Sequence, residues 1–311
     1  EIVQSLVGSE MCIRDSYDVE WLRHNCYTMK SKKKYSSPYF LWDNSMQSNF
    51  EDIQIDYQEI ISGDEGIKKW LEQLHYKGIS IVKNAPTEKE SGFDVLSNIS
   101  HHRETFFKTP FEVIDIPNPN NSAYTAAALR NHIDLPYYEI APGYQFLHCL
   151  INDATGGESV ALDGFKVASY MKENFAEYFK TLLDTPVKFV NRDYTANTIR
   201  VMHKPIFTLD HNNDFNDIRF SVAYMGIMDC SPEVMDSFYE AYRKLLSLLH
   251  DPMFEINFRL EAGDIFSFNN RRVLHGRKEY DANSGNRHLQ GYYIDRDEIV
   301  GRLNYLNRIN P

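Results

Sequence analysis

The sequence of 311 residues predicts a mainly β protein with helices flanking its sheets. Three observations predict this class. Short segments rich in β-branched and aromatic residues recur along the chain, and only a few stretches place apolar residues at helical spacing. There is no glycine-rich nucleotide-binding loop and no regular alternation of strand and helix, which disfavours a parallel doubly wound sheet. Closure into a barrel or jelly roll would remove exposed sheet edges.

The predicted elements follow one another with short connections. Helices are predicted over residues 63–76, 92–105, 163–183 and 231–249, the last opening with Ser231-Pro232, a sequence typical of a cap followed by proline in the first turn. Strands are predicted over residues 78–82, 144–151, 186–190, 218–225, 254–260, 265–268 and 288–294. The polar run 210–217 lacks the glycine and terminal glutamate of an EF-hand loop, so we interpret it as a solvated hairpin turn.

Composition excludes several classes of protein and partner. With 42% hydrophobic and 25% charged residues, the chain can bury a sizeable core and is not disordered. The 33 basic and 44 acidic residues give a net charge of −11, and the main basic cluster is Lys30 with residues 32–34. Because such a surface repels phosphate backbones, we expect no nucleic-acid partner.

Apolar runs and cysteines indicate the compartment. No run approaches the roughly 18 apolar residues of a membrane-spanning helix, so we expect no membrane partner. The cysteines are far apart and form no C-x-x-C pair, which fits a reducing cytoplasm better than a disulfide scaffold or a cysteine-rich zinc site. Residues 1–16 have neither the basic start nor the long apolar stretch of a signal peptide and resemble a spurious translated linker, so we exclude them from the fold argument as an extraneous segment. The four cysteines are Cys12, Cys26, Cys149 and Cys230.

The first candidate for chemistry is His132-Ile133-Asp134. On an extended strand, residues two positions apart project to the same side, so His132 and Asp134 could bind one metal ion. A histidine and a carboxylate are two of the three ligands of the facial triad that holds non-haem Fe(II). Taken alone, however, the motif also fits a hydrogen-bonded pair at the surface, and a second histidine is needed.

The second candidate lies 143 positions further on (275 minus 132). His275 follows two apolar residues and precedes Gly276, and 12 positions later (287 minus 275) Arg287 opens a strand-like segment. The planar guanidinium of an arginine can hold the distal carboxylate of a dicarboxylic cosubstrate through two parallel hydrogen bonds. Each residue alone could be structural, but together and in this order they are much more specific than the H-x-D motif.

In this order, H-x-D, L-H-G-R and R-H-L-x-G-x-Y resemble the Fe(II)- and 2-oxoglutarate-dependent dioxygenases, most closely the γ-butyrobetaine and trimethyllysine hydroxylase family. The resemblance extends over roughly residues 78–308 and is strengthened by ordered blocks at 120–125, 132–137, 142–149, 156–159, 163–165 and 263–265. It implies a double-stranded β-helix, or jelly roll, as the catalytic domain at 61–311. It also implies that residues 17–60, with Trp21–Cys26, are the remnant of an amino-terminal region whose zinc site is absent.

The resemblance also implies a ligand set and a reaction. The metal ligands fall on His132, Asp134 and His275, and Arg287 would hold 2-oxoglutarate with the Ser159 hydroxyl. Fe(II), 2-oxoglutarate and O2 would then hydroxylate a C–H bond of a small zwitterion, coupled to decarboxylation of 2-oxoglutarate to succinate. The family further suggests a homodimer.

The substrate class implied by the resemblance depends on an aromatic cage for a trimethylammonium group. The cage positions fall on Phe107, Phe111, Tyr124 and Tyr293, with Asn121 beside them, and ring faces attract quaternary cations by about 0.5–2 kcal/mol each. Plain core packing is the alternative for these rings.

The family's asparagine for the substrate carboxylate falls near residues 219–224, where this sequence has none. This departure leaves three alternatives to γ-butyrobetaine open for the substrate: another carboxylate spacing, a phosphonate or a sulfonium zwitterion. Two rival functions stay open: oxidation of a sulfonate or phosphonate in the manner of taurine dioxygenase, and a non-catalytic jelly-roll binding module.

Overall fold

The computed structural model describes Leu22, residues 39–114 and residues 125–309. Phe40–Pro311 form one compact unit. The predicted extraneous segment, 1–16, and most of the predicted zinc-free remnant before residue 39 lie outside the described residues. Within the described part of the chain, no helix is both long and apolar enough to cross a bilayer.

The described residues form a mainly β structure with flanking helices, which confirms the predicted fold class at this level. The α-helices are α1 (Tyr57–Ile61), α2 (Asp64–Glu72), α3 (Gly92–Leu96), α4 (Gly164–Asn174), α5 (Ala176–Asp184), α6 (Pro232–Leu249) and α7 (Arg296–Ile309). The strands are β1 (Gln54–Asp56), β2 (Ile79–Lys83), β3 (Phe111–Ile114), β4 (Leu129–His132), β5 (Tyr144–Asn152), β6 (Thr155–Gly156), β7 (Ser159–Asp163), β8 (Val187–Asp193), β9 (Thr198–Lys204), β10 (Phe207–Leu209), β11 (Phe215–Ile218), β12 (Glu255–Phe258), β13 (Ile265–Asn269), β14 (Val273–Arg277), β15 (Tyr280–Asp281) and β16 (Arg287–Ile294).

Two sheets carry most of the strands. The large sheet has the order β1-β2-β13-β5-β16-β3, and the small sheet has the order β12-β7-β14-β4. The pairings within both sheets are antiparallel except for the parallel pair β1–β2. Short pairs β6–β15, β8–β9 and β10–β11 complete the described sheet structure. Neighbouring strands in each sheet are distant in sequence, so residues from different parts of the chain lie side by side on paired strands.

The space between the two sheets is filled by one apolar cluster. Ile81 and Phe266 of the large sheet pack in the same cluster as Ala161 and Phe258 of the small sheet, and all four are buried. Alternation along each strand places these side chains inward, as the two-residue period of a strand requires. Burying this apolar surface holds the sheets face to face.

Helices cover the outer surfaces of the sheets. Trp70 of α2 and Leu303 of α7 pack with Phe146 of the large sheet, whereas Phe238 of α6 packs in a third cluster with Leu274 of the small sheet. Each cluster is buried and dominated by large apolar side chains. Each sheet is therefore covered by helices on the side away from the interior that the two sheets share.

Three predicted elements differ from the structure. The helix predicted over residues 92–105 ends at Leu96. The helix predicted over residues 163–183 is broken at Phe175, whose backbone has non-helical φ of −143° and ψ of 54°. The strand predicted over residues 218–225 was wrong, because this segment forms the end of β11 and a single 3-10 turn at Val222–Tyr224. The hairpin predicted at 210–217 is confirmed by the antiparallel pairing of β10 with β11, but its turn covers only residues 210–214, because residues 215–217 belong to β11.

Candidate metal centre and active-site cavity

The small sheet brings the two predicted metal-ligating histidines together. His132 is the last residue of β4, and it lies directly opposite His275 in the antiparallel pairing with β14. Cross-strand neighbours on one face have Cβ atoms about 4.5–5.5 Å apart, so their rings must meet. The two imidazole centroids are 4.4 Å apart.

The predicted carboxylate completes the group. Asp134 lies two residues beyond the end of β4, in a turn and not on the strand that the sequence suggested. Its Oδ1 lies 3.2 Å from His132 Nε2 and 3.9 Å from His275 Nε2. The candidate ligand atoms of His132, Asp134 and His275 all lie within 4.8 Å of one another. This spacing allows one ion to contact all three.

Hydrogen bonds orient the atoms that would face a metal. His132 Nδ1 lies 2.8 Å from the carbonyl oxygen of Arg130. A carbonyl only accepts, so Nδ1 donates this hydrogen bond, and Nε2 is the ring nitrogen that faces Asp134. The Tyr293 hydroxyl donates to Asp134 Oδ2 over 2.7 Å, which leaves Oδ1 facing the histidines. Such partners fix the orientation of ligands in metal sites.

Electrostatics keep the group ready to bind a cation. Burial raises the pKa of Asp134, but the hydrogen bond from His132 and the nearby His275 outweigh it and hold this pKa well below its usual range. Burial lowers the pKa of His275 to about 3, with repulsion from His132 acting in the same direction. At neutral pH the site therefore holds the Asp134 carboxylate and a neutral His275 imidazole, which a metal requires. Burial lowers the pKa of His132, but its hydrogen bond to Asp134 outweighs burial and raises that pKa, so a metal would displace a proton from His132.

The turn that carries Asp134 is strained and heavily restrained. Leu135 has a φ of +55°, a left-handed conformation that is uncommon for a bulky residue. Asn270, which is completely buried, accepts from Asp134 N over 2.8 Å and donates to Asp134 O over 3.1 Å. Arg219 donates to the carbonyl oxygens of Pro136 and Tyr138. Such strain persists only where the surroundings over-determine the backbone.

A cavity of about 370 Å³ opens beside His132 and Asp134. Three of the predicted cage residues, Phe107, Phe111 and Tyr293, line it. The rings of Phe107 and Phe111 are 6.2 Å apart, and those of Phe111 and Tyr293 are stacked at 5.0 Å with 25° between their planes. The structure therefore places an aromatic wall next to the candidate metal centre.

The aromatic wall depends on a glycine in β16. A Cβ added to Gly291 would lie 2.0 Å from the Phe111 ring. Because real carbon atoms do not approach so closely, any side chain at this position would displace the ring from Tyr293. Only glycine therefore permits the stacking of Phe111 and Tyr293 as it stands.

The remaining predicted site residues are placed differently. Arg287 opens β16, and its guanidinium lies 5.5 Å from the ring centroid of Tyr280, with a buried Nε that has no partner among the described residues. Ser159 opens β7 opposite Arg277. Neither Arg287 nor Ser159 lines the cavity. The predicted Asn121 and Tyr124 lie outside the described residues.

Sequence reasoning missed several residues of the cavity. Tyr137, Ser221 and Tyr224 line it, and the Tyr137 and Tyr224 rings meet edge to face at 4.7 Å. Tyr137 belongs to the block 132–137 that carries the H-x-D motif, which was the signal that could have found it. Ser221 and Tyr224 lie in the segment 219–224, where the resemblance places the family's asparagine for the substrate carboxylate. Neither residue was singled out, because the segment has no asparagine and was predicted as a strand.

A mainly β fold that joins two histidines and one carboxylate beside a cavity defines the class of non-haem iron oxygenases, since these three donors are the facial triad of that class. The chain belongs to the taurine catabolism dioxygenase TauD, TfdA family, whose model matches residues 42–293. The chain is therefore a dioxygenase, and the predicted resemblance is confirmed.

Relatives and solved structures agree with this assignment. The chain is 33% identical to the gamma-butyrobetaine dioxygenase of Pseudomonas sp. (strain AK-1) over 94% of this chain and 76% of that protein. It is 29% identical to the mitochondrial trimethyllysine dioxygenase of Mus musculus over 93% of this chain and 69% of that protein. A crystal structure of asparagine oxygenase with Fe(II), 2S,3S-3-hydroxyasparagine and succinate matches with a TM-score of 0.56 and 13% identity, covering 76% of this chain and 83% of the other.

Proposed function

We propose that the protein is an Fe(II)- and 2-oxoglutarate-dependent hydroxylase of a small quaternary-ammonium zwitterion. The observation that carries this proposal is the group of three ligand atoms within 4.8 Å, next to a cavity with an aromatic wall. We infer that the two sheets form the double-stranded β-helix of this class, with the metal centre at one mouth.

The residues present fit an iron ion. His132 and His275 offer imidazole nitrogens and Asp134 offers one carboxylate oxygen, the donor set of a non-haem Fe(II) facial triad. A buried Nδ1 of His275 without a partner among the described residues adds a polar atom that the protein alone does not satisfy. When bound, Fe(II) with 2-oxoglutarate and O2 supplies C–H hydroxylation coupled to release of CO2 and succinate.

Arg287 and Ser159 would hold the distal carboxylate of 2-oxoglutarate. The Arg287 side chain is half-buried, and its Nε, which is inaccessible to solvent, has no hydrogen-bond partner among the described residues. A buried unpaired donor is costly unless a ligand satisfies it. A carboxylate is the ligand that a guanidinium binds best, because two parallel hydrogen bonds can form.

The aromatic wall would hold the cationic end of the substrate. The aromatic wall offers the ring faces of Phe107, Phe111 and Tyr293. Its one polar group is the Tyr293 hydroxyl, which already donates a hydrogen bond to Asp134. A quaternary ammonium group donates no hydrogen bond and is attracted by ring faces. The hydroxyl groups of Ser221 and Tyr224, elsewhere in the same lining, would donate to the anionic end.

The test is anaerobic titration of the metal-free protein with Fe(II) and 2-oxoglutarate. An iron-to-keto-acid charge-transfer band should appear, and it should vanish in His275→Ala because one of three ligands is lost. His101→Ala is the matched control, because the His101 side chain is exposed and should leave the band unchanged. Absence of the band with intact protein would contradict the enzyme proposal.

The substrate class is tested by succinate formation with a panel of small zwitterions. We expect trimethylammonium carboxylates such as γ-butyrobetaine to stimulate succinate release, because their head fits the aromatic wall. Stimulation by taurine or an aminophosphonate, with none by betaines, would favour the rival reaction. Equal turnover with every compound would show that the aromatic wall does not select the substrate.

A further inference from the structure

The large sheet contains two buried glutamines that differ in whether their side-chain oxygen accepts a hydrogen bond. Gln145 on β5 and Gln290 on β16 are each 1% exposed. Gln290 accepts from Glu90 N over 2.8 Å and donates to Glu112 Oε1 over 3.0 Å. The Oε1 of Gln145, by contrast, has no hydrogen-bond partner among the described residues. An amide buried in this way lowers stability unless a ligand satisfies it.

Strand alternation places the side chain of Gln145 between the two sheets. Tyr144 and Phe146, its neighbours on β5, pack in the cluster that faces helices α2 and α7. Gln145 therefore points to the opposite side, the interior that Leu147 also faces. This side of the large sheet faces the small sheet, which carries His132 and His275.

The cross-strand neighbours of Gln145 each contact a candidate metal ligand. Gln145 lies directly opposite Phe268 of β13 and Tyr293 of β16. The Phe268 ring lies 4.6 Å from the His275 ring, and the Tyr293 hydroxyl bonds to Asp134. Directly opposite residues have Cβ atoms about 4.5–5.5 Å apart. The unsatisfied amide therefore lies beside the metal centre.

We propose that the Gln145 amide binds the carboxylate of the cosubstrate that lies next to its keto group, at the metal end of the molecule. The proposal rests on the proposed function, since it requires a 2-oxo acid at the metal. An amide can turn by half a rotation about its terminal torsion and present its NH2 group where its oxygen now lies. It can therefore donate to an anionic oxygen without any movement of the strand.

The position of Arg287 assigns the two ends of the cosubstrate. Arg287 and Tyr293 are six residues apart on β16, which corresponds to about 20 Å between their backbone positions along a strand. The long side chains of Arg287 and Gln145 must therefore lean towards each other to reach the two ends of one 2-oxo acid. Gln145 is opposite Tyr293, so Gln145 and Arg287 lie towards opposite ends of the inner face. Arg287 would hold the distal carboxylate, and Gln145 the carboxylate beside the keto group.

Gln145→Leu tests the proposal, with Gln290→Leu as the matched control. Dissociation constants for 2-oxoglutarate are measured anaerobically from the charge-transfer band, and the melting temperature is measured for the metal-free protein. Gln145→Leu should raise the dissociation constant for 2-oxoglutarate by about 10- to 100-fold, which corresponds to the loss of one hydrogen bond to a charged group. It should not lower the melting temperature of the metal-free protein, because no protein hydrogen bond is lost. Gln290→Leu should lower that temperature and leave 2-oxoglutarate affinity unchanged.

A monocarboxylic 2-oxo acid, 2-oxobutyrate, identifies which end Gln145 contacts. Gln145→Leu should lower the affinity for 2-oxobutyrate by the same factor as the affinity for 2-oxoglutarate. Arg287→Met should lower only the affinity for 2-oxoglutarate. Loss of affinity for 2-oxoglutarate alone in Gln145→Leu would overturn the assignment to the metal end. Gln145→Glu keeps the shape and replaces the donor with a negative charge, so it should weaken both acids further.

The remaining outcomes separate this proposal from the proposed function. If the wild-type protein shows no charge-transfer band, the hydroxylase proposal fails and Gln145 has no cosubstrate to bind. If the wild-type protein binds 2-oxoglutarate and Gln145→Leu binds it equally well, only the role of Gln145 fails. A fall in the melting temperature of metal-free Gln145→Leu equal to that of Gln290→Leu would show a structural role and overturn the proposal.

Discussion

The two oxygens of Asp134 have different partners. Oδ1 faces the Nε2 atoms of His132 and His275, and Oδ2 accepts a hydrogen bond from Tyr293. A carboxylate held in this way presents a single oxygen to a metal and cannot rotate to present both. Tyr293 thus has two roles in the site. Its hydroxyl orients the candidate metal ligand Asp134, and its ring stacks on Phe111.

Tyr293→Phe should separate these two roles. The ring and its packing on Phe111 remain, but the hydrogen bond that orients Asp134 is lost, so affinity for a divalent metal should fall by about tenfold. Calorimetric titration of the metal-free protein with Co(II) measures the loss. Tyr292→Phe is the control, because the Tyr292 hydroxyl contacts Gln290 and not a metal ligand. Equal Co(II) affinities for wild type and Tyr293→Phe would show that Asp134 needs no such orientation.

The motifs predicted the residues of the metal centre that carry their own chemical signal. His132, Asp134 and His275 stand in short motifs, and the structure brings them together. Gln145 and Asn270 also stand in those motif blocks, but an amide is common in any sequence. Their positions become meaningful only through the strand register and through hydrogen bonds between distant segments. A single sequence contains neither kind of information.

The turn after β4 and the turn between β13 and β14 form one unit. Asn270, in the second turn, bonds to both backbone groups of Asp134 in the first, and also donates to Pro142 O over 3.2 Å. These bonds replace the strand pairing that Asp134 loses where β4 ends. They also hold the left-handed Leu135 in place.

Asn270→Ala should therefore affect both stability and metal binding. The half-buried N–H and C=O of Asp134 would lose their partner, which should lower the free energy of unfolding by about 1–3 kcal/mol. Urea denaturation of the metal-free protein measures this loss, and Co(II) affinity should also fall because Asp134 is no longer fixed.

Asn269→Ala is the matched control for this prediction. Asn269, the last residue of β13, is also buried, but its side chain accepts from Arg271 N and does not contact Asp134. It should destabilise the protein without weakening Co(II) binding. Unchanged Co(II) affinity in Asn270→Ala would show that the turn does not position the ligand.

Helices and strands were predictable where apolar periodicity was unbroken. The prediction for residues 231–249 agrees with α6, Pro232–Leu249. The prediction for residues 163–183 followed a continuous apolar stripe, yet Phe175 interrupts the helix, and its ring packs against Tyr170 and Tyr178. Such a break depends on tertiary packing, which periodicity does not report.

At the scale of the whole molecule, the aromatic composition of 14% serves two purposes. Some rings fill the buried clusters, as Phe146 and Phe266 do, and others line the cavity, as Phe107 and Phe111 do. Composition could not separate these groups, because both require large apolar rings. Whether a ring belongs to a buried cluster or to the cavity depends on the direction in which the fold points its side chain.

Global stability should depend on pH through a histidine outside the metal centre. His148 on β5 is fully buried, and this burial lowers its pKa from 6.5 to about 4. Between these values the unfolded chain binds a proton that the folded protein does not bind, so stability falls as pH decreases. His148 alone should contribute about 2 kcal/mol to the loss of unfolding free energy between pH 7.5 and pH 5.

His148→Leu should remove this contribution from the pH dependence. Urea denaturation of the metal-free protein at pH 7.5 and at pH 5 measures the difference in unfolding free energy for each variant. That difference should be about 2 kcal/mol smaller in His148→Leu than in the wild-type protein, whatever the absolute stability of the variant. His101→Leu is the control, because the His101 side chain is exposed and its replacement should leave the difference unchanged. The same pH dependence in His148→Leu as in wild type would show that His148 is protonated alike in the folded and unfolded chains.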